Sequence, residues 1–220
     1  MSEWQLGGEN ASGHPMMHKA ISLAKELNDM NSLANALNFA AAAARDNPAA
    51  VDRLASELIE LSTRHSFSHW LTMGTLHRGW ARSASGDTAE GIPWIEQGIR
   101  ELRATGSVIS LPYWLSVKAE VLHFADRTSE ALEAISEAEA LAEGIEQHNL
   151  DSAIRLLRGV FLANLGGEET EIEGSFRAAI RIAKEQKSVS QEKRAEATYA
   201  EYRRQKVSGS EGRGFRLPLC

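Results

Sequence analysis

Two histidine pairs carry the spacing that chelates a metal when it falls on one helix: His14 with His18, and His65 with His69, each four residues apart. Ser66-Phe67-Ser68 reads as a break between helices and His14-Pro15 as a helix start, and no carboxylate joins either pair at ligand spacing. Surface or capping histidines explain them better, and no metal is expected. His77 and His123 fall inside helical patterns beside Trp80 and Glu120. A His–Glu pair at spacing three can serve acid–base chemistry, but the same spacing is the commoner helix-face hydrogen bond. The chain has no G-x-x-x-x-G-K phosphate loop and no H-E-x-x-H motif. The Gly209 to Gly214 cluster has no strand before it, and no serine or cysteine has a supporting base. The reading is a non-enzyme with no catalytic residue and no cofactor.

The elements that must position these side chains repeat. Gly7-Gly8, Asn47-Pro48, Gly86-Asp87, Asp126-Arg127 and Gly166-Gly167 begin turns about 40 residues apart, a period that signals stacked helical hairpins. Apolar residues recur at helical spacing, as in Leu54, Leu58 and Leu61, in Ile92, Ile95, Ile99 and Leu102, and in Phe176, Ile180 and Ala183. No stretch alternates with period two, so no sheet is expected. The helices predicted are 15–28, 31–45, 48–64, 68–85, 88–104, 110–125, 128–143, 147–165, 168–187 and 190–205. Small residues also recur: Gly79, Ala119 and Gly159 in one column, Gly98, Ala138 and Ala178 in a second. Gly91 and Ala131 begin a third column that Glu171 breaks. These columns resemble the small positions of tetratricopeptide-type repeats, with longer helices than that family uses. The expected fold is all-α, a right-handed superhelix of about ten antiparallel helices over 15–205, with irregular segments at 1–14 and 206–220. The first and last repeats look like halves, each leaving an apolar face open.

Trp70, Trp80, Trp94, Tyr113 and Trp114 crowd into two consecutive repeats. Core packing accounts for aromatics at this spacing; the alternative is a partly exposed platform. In tetratricopeptide-type repeats the first helix of each pair lines the concave face. With Gly79 as the small position, that face takes Met73 and Trp80, then Tyr113, Glu120 and His123, then Asn164, with Arg45 from the preceding repeat. The set suits a peptide or a small-molecule effector.

Charge narrows the partners. The net charge of −6 argues against non-specific binding to nucleic acid or anionic membrane. From Thr128 to Ile154 there are seven acids and no Lys or Arg, and from Lys193 to Arg216 seven bases against three acids. Those segments read as a solvated face and a basic tail, or as complementary patches between copies. The lone Cys220 excludes an internal disulfide. No secretory signal and no membrane span is seen, so a cytoplasmic protein is expected. The expected partner is a protein or peptide, including a second copy through the open solenoid ends.

Five short elements carry a family likeness: Gly79-Trp80-Ala81, Gly91-Ile92, Arg103-Ala104-Thr105-Gly106, Leu111-Pro112-Tyr113 and Ser175-Phe176-Arg177-Ala178-Ala179. Over roughly 15–197 the chain resembles the C-terminal helical-repeat part of bacterial class III adenylate/guanylate cyclase–predicted ATPase proteins, and is similar in kind to the repeat region of the maltose-regulon activators. The resemblance implies a helical-repeat interaction or ligand-sensing module in signalling or regulation, or a stand-alone remnant of such a protein. The matching residues are packing and turn positions, so it implies no catalytic residue. The cyclase and ATPase domains are absent from this sequence, and the basic segment after about Ala197 departs from the family pattern.

Overall fold

One turn geometry, used again and again, builds this chain. In the computed structural model, which describes residues 13–207, eight helices end in the same closure, the first through Asp29 N to Ala24 O at 3.0 Å. A residue enters the left-handed region, and the N–H after it returns to the carbonyl five residues back. Asp87 N to Arg82 O is 3.0 Å, Ser107 to Leu102 2.9 Å, Arg127 to Leu122 2.9 Å, Gln147 to Ala142 2.8 Å and Gly167 to Leu162 2.9 Å. These accepting carbonyls are spaced 20 residues apart. Phe67 to Ser62 fits the same step, and Ser188 to Ala183 misses it by one residue. This bond satisfies a carbonyl that a helix end would otherwise leave orphaned. The left-handed residue is glycine at Gly86, Gly106 and Gly166, but Asn28, Ser66, Asp126, Glu146 and Lys187 hold φ near +55°.

The described elements are α1 (Gly13–Glu26), α2 (Met30–Ala43), α3 (Pro48–His65), α4 (Ser68–Ala84), α5 (Thr88–Ala104), α6 (Leu111–Phe124), α7 (Thr128–Gly144), α8 (Asp151–Asn164), α9 (Glu169–Glu185) and α10 (Val189–Val207). Short 3-10 turns at Val108–Ser110 and His148–Leu150 lead into α6 and α8. No strand occurs among the described residues. The second 3-10 turn explains why α8 starts four residues later than the expected helix at 147. α1 starts at Gly13, inside the segment expected to be irregular, and α10 carries helix through Lys206 and Val207 where a turn was expected. The expected turn at Gly7-Gly8 and the tail with Phe215, Leu217 and Cys220 lie outside the described residues.

The helix starts follow from capping chemistry. Asn47 accepts from Ala50 N at 3.1 Å with Pro48 at the first helical position, and Asp87 accepts from Glu90 N at 3.1 Å. Asp29 caps α2, and bonds from the Ser32 hydroxyl and amide lower its carboxyl pKa.

The chain divides into two compact units, one ending at Ser110 and one beginning at Leu111. Each is all-α and built of antiparallel hairpins in tetratricopeptide-like order. In the first, α2 pairs with α3 and α4 with α5, α1 packs on α2, and α2 also touches α4. In the second, α6 pairs with α7 and α8 with α9, α10 packs on α9, and α8 touches both α6 and α10. Within each unit, then, the even-numbered helices meet one another.

Small residues set the closest approaches. α4 and α5 cross at Gly79 and Gly91, where a methyl on Gly91 would lie 2.3 Å from the Gly79 carbonyl and 2.2 Å from Ser83 Oγ. Ala119 and Ala131, fully buried, hold the matching places in α6 and α7. In α9 the register shifts by one, because the Gly166-Gly167 turn carries an extra residue. Ala179, not Ala178, is the buried small residue, and the place of Gly91 and Ala131 falls to the large, buried Ile172 instead of Glu171, so the third column of small residues ends there.

We expect Gly91→Ala to cost about 2 kcal/mol or more, since backbone, not a flexible tip, must yield. Asp126→Gly should instead gain about 0.5–1 kcal/mol by relieving a left-handed non-glycine residue. Urea denaturation midpoints of the two variants against the parent check both signs.

Candidate functional site

In the first unit the facing even helices are α2 and α4, and their side chains pair at matched positions. The Trp70 indole N–H donates to Asn31 Oδ1 at 2.7 Å, and His77 Nε2 meets Asn38 Oδ1 at 3.1 Å. Each pair is 39 residues apart in sequence, and seven residues separate the two pairs on each helix. An indole nitrogen can only donate, so the Asn31 oxygen is committed and its NH2 group remains to donate elsewhere. Asn35 lies between them on the same stripe and is exposed. Three asparagines at i, i+4 and i+7 thus line a helix otherwise made mainly of alanine and leucine. Asparagine costs about 0.5–0.7 kcal/mol per position against alanine in a helix. The bonds to Trp70 and His77 offset part of that cost for two of the three.

His77 is 2% exposed. Burial, then the charge of Arg45, lowers its pKa to about 3, so the ring is neutral and the bond to Asn38 closes with the proton on Nε2. Arg45 also stands over the Trp80 ring, Cζ 4.5 Å from the centroid. Trp80 is 2% and Met73 5% exposed. Both expected groove residues are thus buried, and Trp80 is no exposed platform but a core residue roofed by a guanidinium. Trp94 sits elsewhere, under Arg78 with Cζ 5.0 Å from its centroid.

The second unit holds the other four expected groove residues. Tyr113 is half-buried, edge-on to Trp114 at 5.0 Å between centroids. Glu120 of α6 pairs with Arg194 of α10 at 3.8 Å, spanning two hairpins. His123 Nδ1 meets Thr128 Oγ1 at 3.1 Å and its ring lies 5.3 Å from Phe161. The Asn164 amide donates back to Val160 O of its own helix at 2.9 Å. His123 and Glu120 thus each reach beyond their own helix, one to Thr128 and one to Arg194.

His65 and His69 end up on different helices, separated by the left-handed Ser66, with His65 stacked on Phe67 and His69 edge-on to Trp70. Among the described residues no group of three or more His, Cys, Asp or Glu is placed to hold a metal ion. No helix among them is long and apolar enough to cross a membrane.

Sequence reasoning passed over Asn31, Asn35 and Asn38. The signal was present: a seven-residue Asn–Asn step answered 39 residues later by an equal Trp–His step.

No family model matches the chain. The uncharacterized protein R02095 of Rhizobium meliloti matches 197 residues, 89% of this chain, at 24% identity, and the chain spans 19% of that protein's length. Among solved structures, PlcR of Bacillus thuringiensis, crystallised in complex with the peptide PapR7 and DNA, is similar. The TM-score is 0.58 at 15% identity, covering 88% of this chain and 75% of that one. The likeness is one of fold, a tetratricopeptide-like helical repeat.

The His77 geometry predicts acid lability. The unfolded chain protonates His77 below its ordinary value of 6.5 while the folded chain resists to about 3. The stability it contributes is whole above about pH 6.5 and falls as pH drops toward 3, by at most about 5 kcal/mol. His77→Gln should flatten this limb of a stability–pH curve from urea titrations, leaving the carboxylate limb in place.

Proposed function

We propose that the chain is a non-catalytic helical-repeat module that binds an extended peptide, free or as a segment of a protein partner, on the even-helix face of its first unit, in a regulatory setting. The observation that carries this is the asparagine stripe of α2. Asn31 and Asn38 have their oxygens held by Trp70 and His77, and Asn35 stands exposed between them. A carboxamide offers the same donor and acceptor as a peptide bond, so the stripe is suited to reading a main chain. Nearby His77 is neutral, so recognition there rests on hydrogen bonds more than on charge.

The fold neighbour supports the reading, since PlcR was crystallised with a peptide. It was crystallised with DNA as well, which leaves the expectation against nucleic acid without support. The resemblance to the repeat part of cyclase–ATPase proteins adds a proposed setting in signalling, and it rests on the turn and packing motifs alone.

The test is an array of short peptides probed with the purified chain, followed by titration of each binder against the parent and Asn35→Ala. Asn35 is exposed, so its loss should leave the fold unchanged. At least one peptide should bind the parent and lose about three- to tenfold in affinity on Asn35→Ala, the worth of one or two hydrogen bonds. An array without binders, or binders indifferent to Asn35→Ala, sinks the proposal.

A further inference from the structure

The hairpins α4–α5 and α8–α9 share one crossing. Gly79 of α4 faces Ile95 of α5, and Gly159 of α8 faces Phe176 of α9. Gly79 and Gly159 are 80 residues apart and Ile95 and Phe176 are 81 apart, the extra residue being the one in the Gly166-Gly167 turn. On this alignment Arg78 matches Arg158, Glu90 matches Glu171 and Trp94 matches Ser175.

The consequence is a difference in filling. In α4–α5 the Trp94 ring lies beneath the Arg78 guanidinium. In α8–α9 serine stands where that indole would be, and a hollow of about 240 Å³ opens there, lined by Arg155, Arg158, Leu162, Glu171, Gly174 and Ser175, with Ala178 at its edge. Arg155, Arg158 and Leu162 share one face of α8, at i, i+3 and i+7, and all belong to the second unit. The hollow is thus distinct from the surface proposed above, which belongs to the first unit.

Its cations are held in place. Glu139 of α7 pairs with both Arg155 and Arg158, the latter at 3.7 Å, and Arg158 also donates to Ser136 Oγ at 3.3 Å. A guanidinium fixed from behind presents its face without further ordering cost. Glu171 lines the same hollow, and the Ser175 hydroxyl is spent on its backbone carbonyl at 2.8 Å. The volume lies below the ~300–1,000 Å³ of small-molecule sites and fits one large side chain better than a cofactor.

We propose that this hollow is a docking point for a tryptophan or tyrosine side chain of a protein partner. The ring stacks on Arg158 as Trp94 does on Arg78, and its indole N–H or phenol O–H donates to Glu171.

The probe is N-acetyl-L-tryptophanamide at millimolar concentration, followed by amide-resolved NMR of the full chain. Saturable shifts are expected at Arg158, Gly174, Ser175 and Ala178, and none with N-acetyl-L-leucinamide. Arg158→Met keeps the stem and should weaken the probe by about threefold. Ser175→Trp supplies the indole from within: it should abolish the shifts and raise the melting temperature by a few degrees. Absence of saturable shifts at these residues would overturn the proposal. So would equal shifts with the leucine probe, or a Ser175→Trp chain that folds, melts lower than the parent and still binds the probe. Free L-tryptophan binding more tightly than the blocked amide would also overturn it, by marking a small-molecule site instead.

Discussion

The bond that returns each helix's last turn to the carbonyl five residues back sets everything above it. It needs one residue in the left-handed region, and that residue fixes the angle at which the chain leaves. Because the closure recurs at nearly constant spacing, the helices are cut to between 14 and 19 residues. Five described positions achieve it without glycine, Asn28, Ser66, Asp126, Glu146 and Lys187. A left-handed residue with a side chain costs about 1–2 kcal/mol. The closing bond and the apolar packing of the next helix must therefore exceed that cost at every such turn. Asn47 is the informative exception: its turn has no left-handed residue and relies on the asparagine cap and Pro48.

The sequence exposes this frame because turns are written in a small alphabet. Gly86-Asp87, Asp126-Arg127 and Asn47-Pro48 announce themselves, and the helices between them begin and end close to where the apolar periodicity places them. The 3-10 turn at His148–Leu150 has no comparable signal, since its residues continue a helical pattern into α8. A single extra residue in the Gly166-Gly167 turn hid a second feature. Counting by a fixed period put Ala178 in a packing column and read Glu171 as a break, whereas the closure at Ala183 puts Ala179 and Ile172 at those places.

The candidate site was less legible, for a different reason. Reasoning from one helix at a time picked Met73 and Trp80 for their type and face, but burial is decided by the neighbouring helix. Arg45 covers Trp80, and both Trp80 and Met73 belong to the core. Conversely, Asn31 and Asn38 look like weak helix formers until Trp70 and His77 are placed opposite them. Their significance lies in bonds between repeats, which no single-helix pattern contains. Burial and Arg45 together then hold His77 neutral, so this polar stretch of helix gains hydrogen-bonding capacity without charge.

A repeat protein separates the positions that build the fold from those free to vary, and two hairpins of this chain make the separation visible. Gly79 with Ile95, and Gly159 with Phe176, preserve a close crossing through glycine and a bulky apolar partner. Trp94 and Ser175 occupy one equivalent place with opposite volumes, yet both hairpins stand, so that place is not needed for the crossing. In the first hairpin the indole satisfies the face of Arg78 internally. In the second, Arg158 keeps its position through Glu139 and Ser136 while the volume beside it is left open. The crossing therefore tolerates either volume, so the residue at that place is open to selection for something other than the packing of the hairpin.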